Sequence, residues 1–166
     1  MRLQNIVVAI DIDESHLQPL YQWGRTFDFS HVSKVTFVHI VRKNITPLDF
    51  GLMESPDEQT FMEMRPTLEK FLRDESRKVI PADFEGPVDH MIALDLNPEE
   101  RIIDIVKELG ATLVVVTTVG RHGFEGFFHS SFTNHIIKLA PCDVFVVKPE
   151  GINYGQEDPG FESQTF

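Results

Sequence analysis

The chain has 166 residues, of which 42% are hydrophobic, and this is enough to build one domain with its own core. Its formal net charge of -11 at pH 7 repels nucleic acids and anionic lipid surfaces, so neither is expected as a partner. No apolar stretch is long enough to cross a bilayer, and no signal peptide is recognisable. Together with the single cysteine, Cys142, these features predict a cytoplasmic protein without a membrane partner or an internal disulfide.

Strands and helices are predicted to alternate along the chain. In order, the pattern predicts a strand at 5–11, a helix at 17–29, a strand at 34–41, a helix at 56–79, a strand at 87–94, a helix at 98–109, a strand at 112–118, a helix at 130–139 and a strand at 143–148. The first strand, N-I-V-V-A-I-D, is rich in β-branched residues and is expected to be buried on both faces.

Local signals mark the ends of several elements. Asn97 is expected to cap the third helix, with Pro98 at its first position and Glu100 completing a capping box, and Gly110 is expected to end it. The second helix is expected to be kinked at Pro66. Residues 150–166 contain no Lys or Arg and little periodicity, so they are expected to form an acidic, mobile tail outside a domain of residues 1–149.

The alternation predicts an α/β fold with a five-stranded parallel sheet, strand order 3-2-1-4-5, and helices on both faces. Ligands of such sheets bind beyond the carboxyl ends of the strands, where the strand order switches direction. Here the switch lies between the first and fourth strands. Asp11, at the end of the first strand, and Gly120, after the fourth, are therefore expected to face one crevice.

The segment after the fourth strand is the best candidate for a ligand site. It contains Gly120-Arg121-His122-Gly123 and leads to Ser130-Ser131 at a predicted helix start. Glycines let an anion approach the backbone, and a helix N-terminus offers N–H groups to a phosphate. Arg121 is the candidate for charge neutralisation, since the segment contains no lysine. The alternative is that the glycines only form a tight turn and the serines only cap the helix.

Asp11 also has two interpretations. A carboxylate that closes an apolar strand is costly unless it is paired or solvated, so Asp11 either contacts a ligand in the crevice or caps the next helix. Basic groups, His135 and Lys138 among them, are expected near the glycine segment. The histidines show no metal-binding spacing, and no Walker, Rossmann or G-x-S-x-G motif is present. Cys142 is expected to be packed and not nucleophilic.

Three blocks resemble the universal stress protein family: V-V-A-I-D near the start, V-V-V-T-T-V-G-R-H-G late, and L-A-P-C-D-V-F-V-V-K-P at the end. The resemblance extends to about Pro149 and is greatest to the E-type members, which commonly carry two such domains where this chain has one. It implies the adenine nucleotide alpha hydrolase-like fold and a stress-response regulatory protein that binds an adenine nucleotide, ATP with or without Mg, and that hydrolyses it slowly at most.

The resemblance also implies site residues. Asp11 matches the aspartate that contacts the adenosine part, and Val38 to Ile40 fall where backbone groups meet the adenine. The phosphate-binding pattern, G-x-x-G, nine residues, G-[ST], is matched in part, with the cradle assigned to Gly120, Arg121, Gly123, Ser130 and Ser131. This chain departs from that pattern, because six residues separate Gly123 from Ser130 and Ser130 replaces the third glycine.

Two further expectations concern partners and alternatives. Family members often dimerise through the last strand, so residues 143–148 are expected to form a homodimer edge. A nucleotide-free interaction protein is the alternative function, with the glycine segment as a structural turn filled by Phe124, Phe127 and Phe128. A hydrolase built on Ser130 and a histidine is a third hypothesis.

Overall fold

The structure is a computed structural model, and it describes residues 4–10, 14–43, 58–117 and 130–148. The elements in these ranges are β1 (Gln4–Ala9), α1 (Glu14–Thr26), a short 3₁₀ helix (Phe29–His31), β2 (Val32–Arg42), α2 (Glu58–Val79), β3 (Val88–Asp95), α3 (Pro98–Glu108), β4 (Leu113–Thr117), α4 (Ser130–Leu139) and β5 (Asp143–Val147). None of the helices described is both long and apolar enough to cross a bilayer.

The five strands form one sheet in the order β3-β2-β1-β4-β5, and every neighbouring pair is parallel. The predicted fold class and strand order are therefore confirmed. β1 lies in the centre, between β2 and β4, where Val7 pairs with Thr36 on one side and with Val114 on the other. The point at which the strand order switches direction lies between β1 and β4.

Two apolar clusters cover the faces of the sheet. Successive side chains of a strand point to opposite faces, so β1 contributes to both clusters. Val8 packs with Leu20 of α1 and Leu72 of α2 on one face, and Val7 packs with Ile105 of α3 and Ile136 of α4 on the other. The prediction that β1 is buried on both faces is confirmed.

The first two helices differ from the prediction in detail. α1 ends at Thr26, three residues early, because the side chain of Asp28 accepts a hydrogen bond of 2.9 Å from Ser30 N and starts the 3₁₀ helix instead. α2 is described from Glu58, two residues after its predicted start at 56, which lies outside the described residues, and it runs without interruption across Pro66 to Val79. Its apolar residues are only partly buried: Leu68 and Leu72 are in the core, whereas Met64 is 41% exposed.

The capping box predicted for α3 is wrong. Asn97 occupies the cap position, but its side chain makes no capping hydrogen bond. Its own N–H donates to Asp95 Oδ1 at 2.9 Å, and its carbonyl accepts from Glu100 N and Arg101 N. The prediction that Gly110 ends the helix is confirmed, because Gly110 has a φ of +59°, in the left-handed region that favours glycine.

Candidate functional site

The candidate site lies at the carboxyl edge of the sheet, where β1 and β4 end side by side. Val8 pairs with Val115, so the same register sets Ile10 level with Thr117. Neighbouring strands of a sheet lie about 4.8 Å apart, so the chain leaves β1 and β4 at adjacent points. Asp11 directly follows Ile10, and Gly120 comes three residues after Thr117. Asp11, Gly120, Arg121 and Gly123 themselves lie outside the described residues.

The end of β1 is held by β2 through two hydrogen bonds. Ile10 N donates to Val38 O at 2.9 Å, and Ile10 O lies 2.9 Å from Nδ1 of His39. His39 is only 8% exposed, so this contact is sheltered from water. The backbone immediately before Asp11 therefore has a defined position. His39 lies in a predicted strand, but the sequence gives no sign of this side-chain contact, because its partner is 29 positions away.

β2 extends beyond the end of β1 at this edge. Val35 N donates to Pro87 O and Lys43 N to Asp95 O, so the peptide groups of the odd-numbered residues face β3. The peptide groups of even-numbered residues face the β1 side, as Val38 O does when it accepts from Ile10 N. Ile40 is the next even-numbered residue. In the part of the chain that the structure describes, no strand pairs with β2 on this side beyond Val38.

Val38 and Ile40, the two predicted site residues with described side chains, therefore have different surroundings. Val38 is 1% exposed, and its carbonyl is bonded within the sheet. Ile40 is partly buried, with its side chain against the cluster formed by α3 and α4. Within the described ranges no strand covers its N–H and C=O groups, which lie side by side on the β1 side and offer one donor and one acceptor.

Arg42 connects the end of β2 to the start of α3. Its guanidinium forms an ion pair of 2.5 Å with Glu99, in the first turn of α3, and donates to Leu96 O at 3.5 Å. The positive charge of Arg42 is thus matched by a carboxylate on the neighbouring element. Its structural effect is to hold the extended part of β2 in place beside the crevice.

The fourth helix begins at Ser130, as predicted, so its N-terminus follows the glycine segment. The positive end of a helix dipole favours an anion at this position. Two basic residues expected near that segment are on α4 itself. His135 Nε2 is 3.3 Å from Glu100 Oε1 on α3, and Lys138 lies in the last turn of α4. Because the glycine segment lies outside the described residues, the expected proximity of these two residues to it stays a prediction.

Cys142 is partly buried and packs against the cluster of α3 and α4. Burial raises the pKa of its thiol, and the negative charge of Asp143 raises it further. A thiol with a raised pKa is a weak nucleophile at neutral pH. This environment agrees with the expectation that Cys142 is packed and not catalytic.

Sheet order, helix placement and the switch-point crevice together define a doubly wound parallel α/β protein. The chain belongs to the Universal stress protein family, whose sequence model matches residues 2–148.

Among named relatives, the Universal stress protein E homolog of Haemophilus influenzae is 34% identical over 72 residues, which are 43% of this chain and 23% of that protein. The matched part of the chain thus spans less than a quarter of this relative's length. A Staphylococcus haemolyticus protein named for the same family is 27% identical over 153 residues, covering 90% of this chain and 87% of that protein.

Two solved structures have a similar fold. A universal stress protein in complex with cAMP is 16% identical, with a TM-score of 0.59, covering 90% of this chain and 99% of that chain. A family protein from Arabidopsis thaliana with AMP bound is 18% identical, with a TM-score of 0.52, covering 89% of this chain and 93% of that chain. At these identities the similarity establishes the fold.

Proposed function

We propose that this chain is a cytoplasmic stress-response regulatory protein that binds an adenine nucleotide, with ATP as the predicted ligand, in the crevice between β1 and β4. Asp11 would hold the adenosine part, and the β2 edge at Val38 and Ile40 would meet the base. The phosphates would lie among Gly120, Arg121, Gly123, Ser130 and Ser131. No residue is assigned a catalytic role.

The observation that carries this proposal is the open edge of β2 at Ile40. Adenine has an amino donor at N6 beside a ring acceptor at N1. A peptide C=O and N–H that lie side by side match this pair. Guanine has an oxygen acceptor at position 6 and a ring N–H at position 1, so the same peptide groups would meet two like partners. The edge therefore favours adenine over guanine.

The start of α4 supports the phosphate half of the proposal. α4 begins at Ser130, and six residues separate it from Gly123, so its N-terminus comes soon after the glycine motif in the chain. Backbone N–H groups and the helix dipole favour a phosphate there. Structural neighbours with cAMP and AMP bound show that proteins of this fold hold adenosine monophosphates. The monophosphate AMP is therefore a necessary comparison with ATP in any test.

Thermal unfolding of the full chain with AMP, Mg-ATP and GMP tests the proposal. A ligand at about 100 times its dissociation constant adds roughly 2.7 kcal/mol, which raises the Tm of a domain of this size by roughly 5–10 °C. The shift is expected with an adenine nucleotide and not with GMP. Equal shifts with AMP and GMP, or none with AMP and ATP at millimolar concentration, would reject the nucleotide site.

A matched pair of glycine variants locates the site. Gly123→Val places a branched side chain where the motif requires close approach of an anion, so it is expected to abolish the nucleotide shift while the unliganded Tm changes little. Gly126→Val, in the same segment but outside the motif, is expected to keep the shift. If both variants keep it, the phosphates bind elsewhere.

The proposal includes a homodimer through β5, the outermost strand on its side of the sheet. Asp143 N donates to Thr112 O, so the alternate peptide groups, at Val144 and Val146, face away from β4. Phe145 is 43% exposed on the same strand. An open edge with an exposed aromatic ring is an aggregation hazard in a monomer, and pairing with a second β5 removes it.

A further inference from the structure

A second concave site lies between the last turns of α2 and the amino-terminal half of β3. The cavity has a volume of about 410 Å³. Arg73, Ser76 and Arg77 line it from α2, and His90 lines it from β3. Ile80, Pro81 and Val88 form an apolar wall. The cavity therefore combines basic groups with a surface suited to an apolar body.

The cations of this cavity are poorly neutralised compared with others on the same helix. Nearer the N-terminus of α2, Arg65 pairs with Glu69 at 2.9 Å and Lys70 pairs with Asp74 at 2.7 Å. Arg77 reaches only to 3.8 Å from Asp74, which Lys70 already holds more closely.

Arg73 differs from the paired cations more clearly. Within residues 4–10, 14–43, 58–117 and 130–148, no carboxylate forms an ion pair with its guanidinium. Two positive charges thus face the cavity of a chain whose formal net charge is -11.

His90 is held in place by Ser76. Its Nε2 lies 2.8 Å from Ser76 Oγ, and Ser76 Oγ donates to the carbonyl of Arg73 at 3.0 Å. Because the serine proton is used in that bond, Oγ accepts from Nε2–H of the imidazole. The ring also stacks on Phe37 of β2, with the centroids 6.1 Å apart. His90 is therefore a fixed part of the cavity wall.

The charges around His90 indicate that the cavity is suited to an anion. Burial lowers the pKa of His90, and the positive charges of Arg73 and Arg77 lower it further. Asp89, next to it on β3, opposes this effect but is paired with Lys34 at 2.6 Å. A bound anion would offset the mutual repulsion of these groups and favour the protonated imidazole.

This cavity is separate from the crevice between β1 and β4. Asp95 is the last residue of β3, and His90 lies five residues before it. A strand rises about 3.3 Å per residue. The cavity is thus about 17 Å from the carboxyl edge along the strand, and β3 is two positions from β1 in the sheet.

We propose that this cavity is a second ligand site, which takes a small organic anion by pairing its phosphate or carboxylate group with Arg73, Arg77 and His90 while Ile80, Pro81 and Val88 cover its apolar body. The two arginines form the charged rim, and the imidazole donates from the inner wall once it is protonated. The site does not depend on nucleotide binding at the other edge.

NMR titration of the full chain with phenyl phosphate tests the proposal, because this probe joins a phosphate to an apolar ring. Saturable shifts are expected for the His90 ring and for the amide of Ser76, with a rise in the pKa of His90 as the probe binds. Benzoate is expected to act at the same residues if a carboxylate serves as well. Inorganic phosphate, which lacks the apolar body, is expected to bind more weakly. Unshifted His90 signals with both organic probes would overturn the proposal.

Two double variants separate a built site from the general field of the helix. R73Q/R77Q is expected to weaken phenyl phosphate binding by about tenfold or more, since it removes two charge-assisted hydrogen-bond donors. R65Q/K107Q removes the same net charge at exposed positions away from the cavity and keeps the Lys70–Asp74 pair, and the affinity is expected to stay within about twofold. Equal weakening in both variants would overturn the proposal. Gly123→Val is expected to leave these His90 shifts unchanged.

Discussion

A buried carboxylate, that of Glu75, joins α1 to α2 through hydrogen bonds. The loss of stability when one of its partners is removed can be calculated. Glu75 is 7% exposed, and its side chain accepts a hydrogen bond from the hydroxyl of Tyr21. Its other oxygen accepts from Lys78 Nζ at 2.8 Å. Burial raises the pKa of Tyr21, and the hydrogen bond to Glu75 raises it further, so the hydroxyl stays protonated as the donor.

Tyr21→Phe removes this donor and keeps the ring. A hydrogen bond to a charged group contributes about 1.5–3 kcal/mol. Tyr21 is partly exposed and water can replace part of its effect, so the expected loss is at the low end, about 1.5 kcal/mol. Lys78→Met is expected to cost less, because the Lys78 side chain is 56% exposed and its ion pair is screened by solvent.

Urea denaturation followed by fluorescence of the single tryptophan, Trp23, measures these losses. With an m value of about 2 kcal/mol/M, Tyr21→Phe is expected to lower the midpoint by roughly 0.7 M. The double variant Y21F/K78M leaves the Glu75 carboxylate without either partner, so its loss should exceed the sum of the single losses. A loss below about 0.5 kcal/mol for Y21F, with additive behaviour in the double variant, would refute the reasoning.

Two further predictions concern pH and assembly. Because the pKa of His90 is lowered from 6.5, the unfolded chain binds more protons than the folded one just below that pH, and the free energy of unfolding falls as the pH decreases. His90→Gln should flatten this dependence in urea titrations at pH 5 to 7, and a slope equal to that of the wild-type chain would contradict the assignment. Phe145→Asp is expected to shift the chain from dimer to monomer in light scattering, with Met62→Asp, at a 60% exposed position on α2, as the control that stays dimeric. If the wild-type chain is a monomer at high micromolar concentration, the proposed β5 interface is wrong.

Much of the fold could be predicted because its determinants are local. The apolar run of β1, the start of α4 at Ser130 and the glycine after α3 each carry their own signal in a few residues. The strand order follows from the alternation of strands and helices, since right-handed crossovers leave few arrangements. The two ends of the candidate crevice then follow from the order alone.

The details that failed depend on competition between neighbours. Asn97 was expected to cap α3, but Asp95 takes its N–H, and the helix closes on the carbonyl of Asn97 instead. Glu100, expected in the capping box, lies against His135 of another helix. One of these partners is two residues from Asn97 and the other is on a different helix, and the helical period alone identifies neither of them.

The base recognition proposed for the crevice illustrates a more general limit. The donor and acceptor on the open edge of β2 are peptide groups of Ile40, and every residue except proline presents the same two groups. Their direction depends on the register of β2 with β3, and their availability depends on where β1 ends. The type of side chain at position 40 does not indicate the proposed role, which depends on the register of three strands. The basic cavity beside β3 has the same origin, because α2 and β3 become neighbours only when the sheet is assembled.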